Sequence, residues 1–147
     1  MVQTIPWELS QKKPKKKPQS ESQVWIQFKT AVKKLQPNWK LTRLETWSLP
    51  GVPDVLLLDQ KATFHLVELK YTRTNAVRVS PHQVSFLSSH SEGPVWLLVK
   101  KDPISASAQY YLYRGDSVME VAVAGLTVEP YFLGESMDSI IELIATH

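Results

Sequence analysis

Apolar residues recur at helical spacing near both ends of the chain. In residues 21–36 they form one stripe, which predicts an amphipathic helix whose core side carries Val24, Phe28, Ala31, Val32 and Leu35. Ser20 with Gln23 forms a capping box, and Pro37 stops the helix. Residues 136–147 predict a C-terminal amphipathic helix with a second stripe, made of Met137, Ile140, Ile141 and Ile144.

Short apolar runs between these helices predict strands. They cover residues 39–48, 54–59, 63–72, 94–101 and 108–115, with 118–124 as a further candidate. Residues 73–80 form a loop, and Ser80 followed by Pro81 begins a helix that runs to residue 90. The order is α, β, β, β, α, β with additional elements, which predicts an α/β fold with a mixed sheet.

Composition and charge suggest how the chain is organised. The segment KKPKKKP lies within residues 1–19, and we interpret this stretch as a disordered basic arm that either solubilises the protein or contacts phosphate. Residues 20–147 are long enough for a single domain, with a core at 20–101 and a C-terminal extension at 102–147. Residues 19–101 hold eleven basic and six acidic residues, whereas 102–147 hold one basic and seven acidic residues. A polyanion would therefore meet one side of the molecule.

Several classes of function find no support in the sequence. Without cysteine there are no disulfides or thiolate metal sites, and the four histidines lack zinc-ligand spacing. No phosphate-binding loop or dinucleotide motif is present, so no nucleotide cofactor is expected. The longest apolar run is five residues, which predicts no membrane span. The first ten residues lack a signal pattern, so we expect a cytoplasmic protein, or one acting in the host cytoplasm if it is phage-encoded.

Two carboxylates are expected to meet in the predicted sheet. Side chains alternate along a strand, so Glu68 and Lys70 share one face. Asp54 opens the preceding strand, and a short hairpin brings it close to Glu68. Such a pair is costly unless a cation lies between the two acids. Lys70 provides that cation in an ordinary ion pair; alternatively, Asp54 and Glu68 bind Mg²⁺ with the Leu69 carbonyl within reach. A metal there would acidify a water, and Lys70 would orient that water or stabilise developing charge.

The same residues resemble a known family. Pro53-Asp54, then Glu68-Leu69-Lys70, preceded by a helix carboxylate at Glu21, resemble the motif of the PD-(D/E)XK nuclease superfamily. Residues 20–101 are most similar to its Holliday-junction resolvases and VRR-NUC-type members, including phage endonucleases. The resemblance implies a restriction-endonuclease-like αβββαβ core, with a central mixed sheet flanked by helices. It also implies a catalytic and Mg²⁺-binding set, in which Mn²⁺ can substitute, comprising Asp54, Glu68, Lys70, Glu21 and Gln83.

Alternatives remain for several of these positions. Gln83 also fits a capping box with Ser80, and Glu45 competes with Glu21, which we favour, as the additional acid. Arg73 and Arg78 lie in the loop after the Glu68 strand and either grip phosphate or face solvent. The arm offers a further set of candidate DNA contacts, namely Lys12, Lys13, Lys15, Lys16 and Lys17.

The sequence thus predicts a metal-dependent DNA endonuclease, selective for Holliday junctions or other branched DNA. A homodimer is expected because such a junction has two-fold symmetry, and the stripe of the C-terminal helix is a candidate subunit contact. The alternatives are a non-catalytic nucleic-acid-binding module on the same fold, and a nuclease acting on ordinary duplex or single-stranded DNA.

Overall fold

A six-stranded sheet forms the centre of the protein in this computed structural model, which describes residues 19–45 and 49–147. The strands are β1 (Lys40–Arg43), β2 (Val55–Leu58), β3 (Phe64–Thr72), β4 (Val95–Lys101), β5 (Gln109–Arg114) and β6 (Phe132–Gly134). The helices are α1 (Gln19–Leu35), α2 (Pro81–Ser89), α3 (Val118–Ala124) and α4 (Met137–Ala145). Short 3-10 turns at Gly115–Ser117 and Gly125–Thr127 flank α3.

The sheet is mixed, and its strands lie side by side in chain order. β3 and β4 pair in parallel because α2 forms the crossover between them, while the other neighbouring strands are antiparallel. The order from α1 to β4 is αβββαβ, as expected. The predicted fold class is therefore confirmed: an α/β fold with a central mixed sheet flanked by helices.

The helices enclose a core on each face of the sheet. α1 and α4 pack on the face that carries Val67, Leu69 and Leu98. α2 and α3 lie over the other face, where Leu97, Val99 and Tyr113 are buried. Residues 102–147, whose role the sequence left open, thus add two strands to the sheet and one helix to each layer.

The stripe of α4 has a different role from the one suggested by the sequence. The helix is amphipathic as predicted, but its apolar residues are at most 7% exposed and belong to the core beneath α1: Met137, Ile140, Ile141 and Ile144. A side chain inside the monomer's core cannot also contact a second subunit. The stripe is therefore not a subunit contact.

Three further elements differ from the predictions. Residues 118–124 are helical rather than extended, with Val118 and Val121 buried one turn apart, so helical packing overrides the β-propensity of valine. The strand predicted at 39–48 is shorter, Lys40–Arg43, and residues 46–48 lie outside the described part. Strand β6 is only three residues long and was not among the predicted strands. The basic arm, apart from Gln19 at the start of α1, is also outside the described residues.

None of the helices described is both long enough and apolar enough to span a membrane.

Candidate active site

Asp54 and Glu68 lie on the same face of the sheet and are both buried, with 7% and 1% of their surface exposed. The β2–β3 register pairs Val55 with Val67, so Asp54 lies just outside the last pair, alongside the following residues of β3. Its Oδ2 accepts a hydrogen bond from the Leu69 backbone N–H at 2.9 Å. This bond fixes the Asp54 carboxylate against the part of β3 that carries Glu68, as the hairpin argument predicts.

The Leu69 backbone faces Asp54 for a geometric reason. In a strand, the N–H and C=O of one residue point towards the same neighbouring strand. Because the Leu69 N–H reaches Asp54, the Leu69 carbonyl is directed to the same side, beyond the end of β2. A carboxylate and a carbonyl oxygen therefore face the same edge of β3.

Glu68 is held by two side chains of different kinds. Gln83 Nε2 donates a hydrogen bond to Glu68 Oε2 at 2.9 Å, and Lys70 Nζ lies 3.6 Å from the same oxygen. Lys70 is itself largely buried, with 12% of its side chain exposed. A buried carboxylate requires such partners, since removing it from water unpaired is costly.

Gln83 fulfils both roles considered for it in the sequence. Its Oε1 accepts a hydrogen bond from the Ser80 N–H at 3.0 Å, while Ser80 Oγ accepts from the Gln83 N–H at 3.2 Å. These two bonds form the capping box of α2. The other end of the amide is left for Glu68, so the N-terminus of α2 is tied directly to the candidate site.

A glycine fixes the loop before Asp54, a feature that the sequence analysis missed. Gly51 has φ of +88°, and a Cβ there would lie 2.3 Å from the His82 carbonyl oxygen. The loop therefore packs directly on the first turn of α2. The signal was the glycine between two prolines in LPGVP, which indicates a turn but not its neighbour.

Neither Glu21 nor Glu45 joins Asp54 and Glu68 in a ligand cluster. Glu21 is half-buried in the first turn of α1, and Glu45 is exposed. Across residues 19–45 and 49–147, no three acidic or histidine side chains are arranged to hold a metal ion. Gln27 accepts a hydrogen bond from Lys100 at 3.1 Å, so the first half of α1 overlies the end of the sheet where β4 finishes. Glu21 precedes Gln27 on the helix and lies towards that end.

The donor set at Asp54 and Glu68 fits a hard divalent cation. Mg²⁺ prefers oxygen ligands and usually takes only one or two carboxylates from the protein. Asp54, Glu68 and the Leu69 carbonyl would hold such an ion, and the ammonium group of Lys70 lies beside them.

Arg73 and Arg78 are exposed on the loop that leaves β3, as predicted. Arg73 donates a hydrogen bond to the Tyr71 hydroxyl at 3.3 Å, and this bond raises the pKa of Arg73. The loop is anchored by Asn75, whose side chain accepts from Lys101 and whose carbonyl accepts from the Leu126 N–H, at 2.7 and 2.8 Å. The five lysines of the arm lie in the part of the chain that is not described.

A second buried polar group lies at the opposite end of β3. Asp59 Oδ2 is 2.8 Å from His65 Nε2, and Trp96 Nε1 donates to His65 Nδ1 at 3.1 Å. Because an indole N–H can only donate, Nδ1 must accept, and the proton of a neutral His65 lies on Nε2, facing Asp59. No local pattern indicated that these three residues would meet.

Comparison with known proteins yields a structural likeness. The structure is similar to that of Hjc from Archaeoglobus fulgidus, a Holliday junction resolvase from an archaeal hyperthermophile, with 16% sequence identity and a TM-score of 0.41. The match covers 63% of this chain and 74% of that chain. No family model and no curated protein matches the sequence.

Proposed function

We propose that this protein is a divalent-metal-dependent nuclease that hydrolyses phosphodiester bonds in DNA. The observation that carries the proposal is the pair of buried carboxylates, Asp54 and Glu68, on one face of the sheet with Lys70 beside them. Buried acids need cations or hydrogen-bond donors to balance them, and a divalent ion would add to the partners that Lys70, Gln83 and the Leu69 N–H already provide. The motif resemblance over residues 20–101 supports membership of the PD-(D/E)XK superfamily, close to its resolvases and VRR-NUC-type members.

Each residue has a role in this proposal. Asp54, Glu68 and the Leu69 carbonyl would hold Mg²⁺ or Mn²⁺. Glu21, which does not join them in a ligand cluster among the described residues, is the favoured candidate for an additional acid acting from α1. The bound ion supplies a Lewis acid, which acidifies water and neutralises phosphate charge. Lys70 orients the attacking water or stabilises the negative charge that develops on the phosphate. Gln83 fixes the Glu68 carboxylate through the 2.9 Å hydrogen bond.

We further propose branched DNA, in particular the Holliday junction, as the substrate. Such a junction has two-fold symmetry and two strands to cut, so a homodimer is expected to act on it. Arg73 and Arg78 contact the backbone beside the site, and the five lysines of the arm add contacts further away. Sedimentation at micromolar protein concentration measures the oligomeric state. A protein that sediments as a monomer and still cleaves junctions fully would contradict the dimer.

The cleavage experiment compares three substrates: a four-way junction, a linear duplex and a single strand. Each is incubated with Mg²⁺, with Mn²⁺ and with chelator, for the natural protein and for Asp54→Asn and Lys70→Met. We expect metal-dependent cutting, strongest on the junction. Asp54→Asn should abolish it, and Lys70→Met should slow it by about 10²–10³-fold. Cutting that persists in chelator would contradict the proposal, and preference for linear duplex would contradict the junction assignment.

Metal binding is measured separately from activity. Mn²⁺ titrated into the protein gives an electron paramagnetic resonance signal that falls as the ion binds. We expect one or more binding events that weaken in Asp54→Asn and Glu68→Gln. The matched control is Asp138→Asn, which removes an acid from the far end of the molecule, where it pairs with Lys34. Equal binding by all four proteins would place the metal elsewhere.

One observation favours a second function, a non-catalytic nucleic-acid-binding module. Glu68 already has Lys70 3.6 Å away, and no third acid in the described ranges completes a metal cluster. Tight junction binding without cutting under any metal condition would support this alternative. Retention of the aspartate, glutamate and lysine together favours the enzyme.

A further inference from the structure

A groove with an unusual lining lies between α1 and the edge strand β1. Its volume is about 260 Å³, and its walls include Trp25, Lys29, Lys33 and Trp39. The first three of these residues follow one another at intervals of four along α1, so they form one row on the helix surface. We name this feature the Trp25 groove.

The indole of Trp25 fixes two cations at the groove. Lys29 Nζ lies 5.6 Å from the centre of the Trp25 ring, and the Arg43 guanidinium carbon lies 5.4 Å from it. An aromatic face attracts a cation without neutralising its charge. The two cations are therefore positioned but remain able to bind an anion.

Acidic residues are lacking around the groove. Its lining contains neither aspartate nor glutamate. Among the residues described, Lys29, Lys33 and Arg43 form no ion pair, whereas Lys34, on the same helix, pairs with Asp138. Lys29 and Lys33 on the groove wall, with Arg43 beside Trp25, create a local positive field that attracts a polyanion.

The groove runs towards the candidate site. Arg43 is opposite Val55 in the sheet, and the next residue, Leu44, donates its N–H to the Asp54 carbonyl at 2.7 Å. The Arg43 end of the groove therefore lies beside the segment that carries Asp54.

We infer that the Trp25 groove binds a single-stranded segment of DNA and leads it to the site. Its phosphates contact Lys29, Lys33 and Arg43, while Trp25 is a positioning residue that holds two of these cations. Single strands bind grooves that combine positive charge with aromatic walls, as Trp25, Trp39, Lys29 and Lys33 do here. The choice of DNA as the polyanion rests on the proposed function.

The test measures binding without cleavage. A fluorescein-labelled thymidine oligonucleotide is titrated with the full chain in chelator, and anisotropy gives the affinity at several salt concentrations. The test variant is Lys29→Gln with Lys33→Gln. The control is Lys34→Gln with Lys61→Gln, which removes equal charge from exposed positions outside the groove. We expect the test variant to bind about tenfold more weakly and its salt slope to fall by about 1.4. The control should remain near the natural protein.

Two variants at Trp25 separate positioning from packing. Trp25→Leu removes the aromatic face and should weaken binding several-fold. Trp25→Phe keeps an aromatic face and should restore most of the affinity, while circular dichroism confirms that both variants are folded. Equal weakening by leucine and phenylalanine would overturn the positioning role.

Other outcomes would overturn the groove itself. The first is an equal loss of oligonucleotide affinity in the test and control double variants. The second is competition by polyglutamate as effective as competition by unlabelled DNA. The third is a loss of affinity in the test variant that is as large for duplex DNA as for single-stranded DNA. Failure here is distinct from failure of the proposed function. If the groove variants bind DNA normally and metal-dependent cleavage persists, only the groove is wrong. If oligonucleotide binding depends on the groove but no metal supports cleavage, only the nuclease is wrong.

Discussion

Gln83 donates its side-chain N–H to Glu68 across the gap between α2 and β3, at 2.9 Å. The other end of the same amide accepts the Ser80 N–H at the start of the helix. One side chain thus both caps a helix and orients a buried carboxylate. The two functions can be separated by mutation, since Ser80 takes part only in the first.

Ser80→Ala should lower stability but preserve the site. Loss of the Ser80 Oγ acceptor costs about 1 kcal/mol of unfolding free energy, while the Gln83–Glu68 bond remains. Gln83→Leu removes the side-chain acceptor for the Ser80 N–H and the bond to Glu68, while the backbone N–H of residue 83 still reaches Ser80 Oγ. It should therefore also lower the cleavage rate by about 10–100-fold. Urea denaturation and initial cleavage rates measure the two quantities. The control Ser136→Ala removes the cap of α4, away from the site, and should match Ser80→Ala. Normal cleavage by Gln83→Leu would remove this residue from the site.

The sequence was most informative where a local pattern agreed with the tertiary environment. The helix at α1, the strands β2 to β5 and the capping box at Ser80 follow from periodicity and turn residues. The hairpin rule also predicted that Asp54 would meet β3 beside Glu68, because register follows from a short connection. These features depend on residues near one another in the chain.

Features that depend on distant neighbours could not be predicted. The valines of α3 have strand propensity, and burial against α2 makes them helical instead. Likewise, the sequence predicted the apolar side of α4, but it did not predict that this side packs into the core beneath α1. The close packing of the Gly51 loop on His82 in the first turn of α2 joins segments distant in the chain, and no local pattern encodes it.

Gly51→Ala should destabilise the protein and impair the site together. Alanine has a strained backbone at φ of +88°, and its Cβ would collide with the His82 carbonyl. We expect a loss of about 2 kcal/mol or more in unfolding free energy, together with slower cleavage as the Asp54 loop shifts. The control is Gly93→Ala, where the nearest atom to a new Cβ is 3.6 Å away. Equal stability of the two variants would show that the Gly51 contact is relaxed in solution.

Acid should destabilise the protein through Asp59. Burial alone raises the pKa of this carboxyl, but bonds from His65 and from the Thr63 and Lys61 N–H groups outweigh it, and the pKa falls below its ordinary value of 3.8. A lowered folded-state pKa contributes stability above the ordinary value, and this contribution is lost as the pH falls through the folded-state pKa.

Asp59→Asn should therefore be less stable at neutral pH, and its stability should depend less on pH between about pH 5 and pH 2. Urea denaturation across this range gives the comparison. The control is Asp138→Asn, which breaks an exposed pair with Lys34 that contributes about 0–1 kcal/mol. An acid dependence in Asp59→Asn as steep as in the natural protein would assign the effect to other carboxyls.

Deleting residues 1–18 should weaken DNA binding and flatten its salt dependence. The segment contains five lysines, and each phosphate contact that is lost reduces the slope on duplex DNA by about 0.9. Affinity for a four-way junction, measured by anisotropy at several salt concentrations, gives the slope. The control replaces the five lysines by glutamine in the full-length chain and should behave like the deletion. An unchanged slope in both would exclude the arm from the DNA contacts.

Glu21 and Glu45 offer a direct test of which acid completes the site. Glu21 is half-buried in the first turn of α1, whereas Glu45 is exposed. The half-buried position favours Glu21 over Glu45, because partial desolvation strengthens the electrostatic effect of a carboxylate. Glu21→Gln should therefore lower cleavage by about 10–100-fold and raise the Mg²⁺ concentration needed for half-maximal rate. Glu45→Gln, with the same change in charge, should leave both quantities near those of the natural protein. If Glu45→Gln instead lowered cleavage and Glu21→Gln did not, Glu45 would be the additional acid, and the loop after β1 would have to move towards the site.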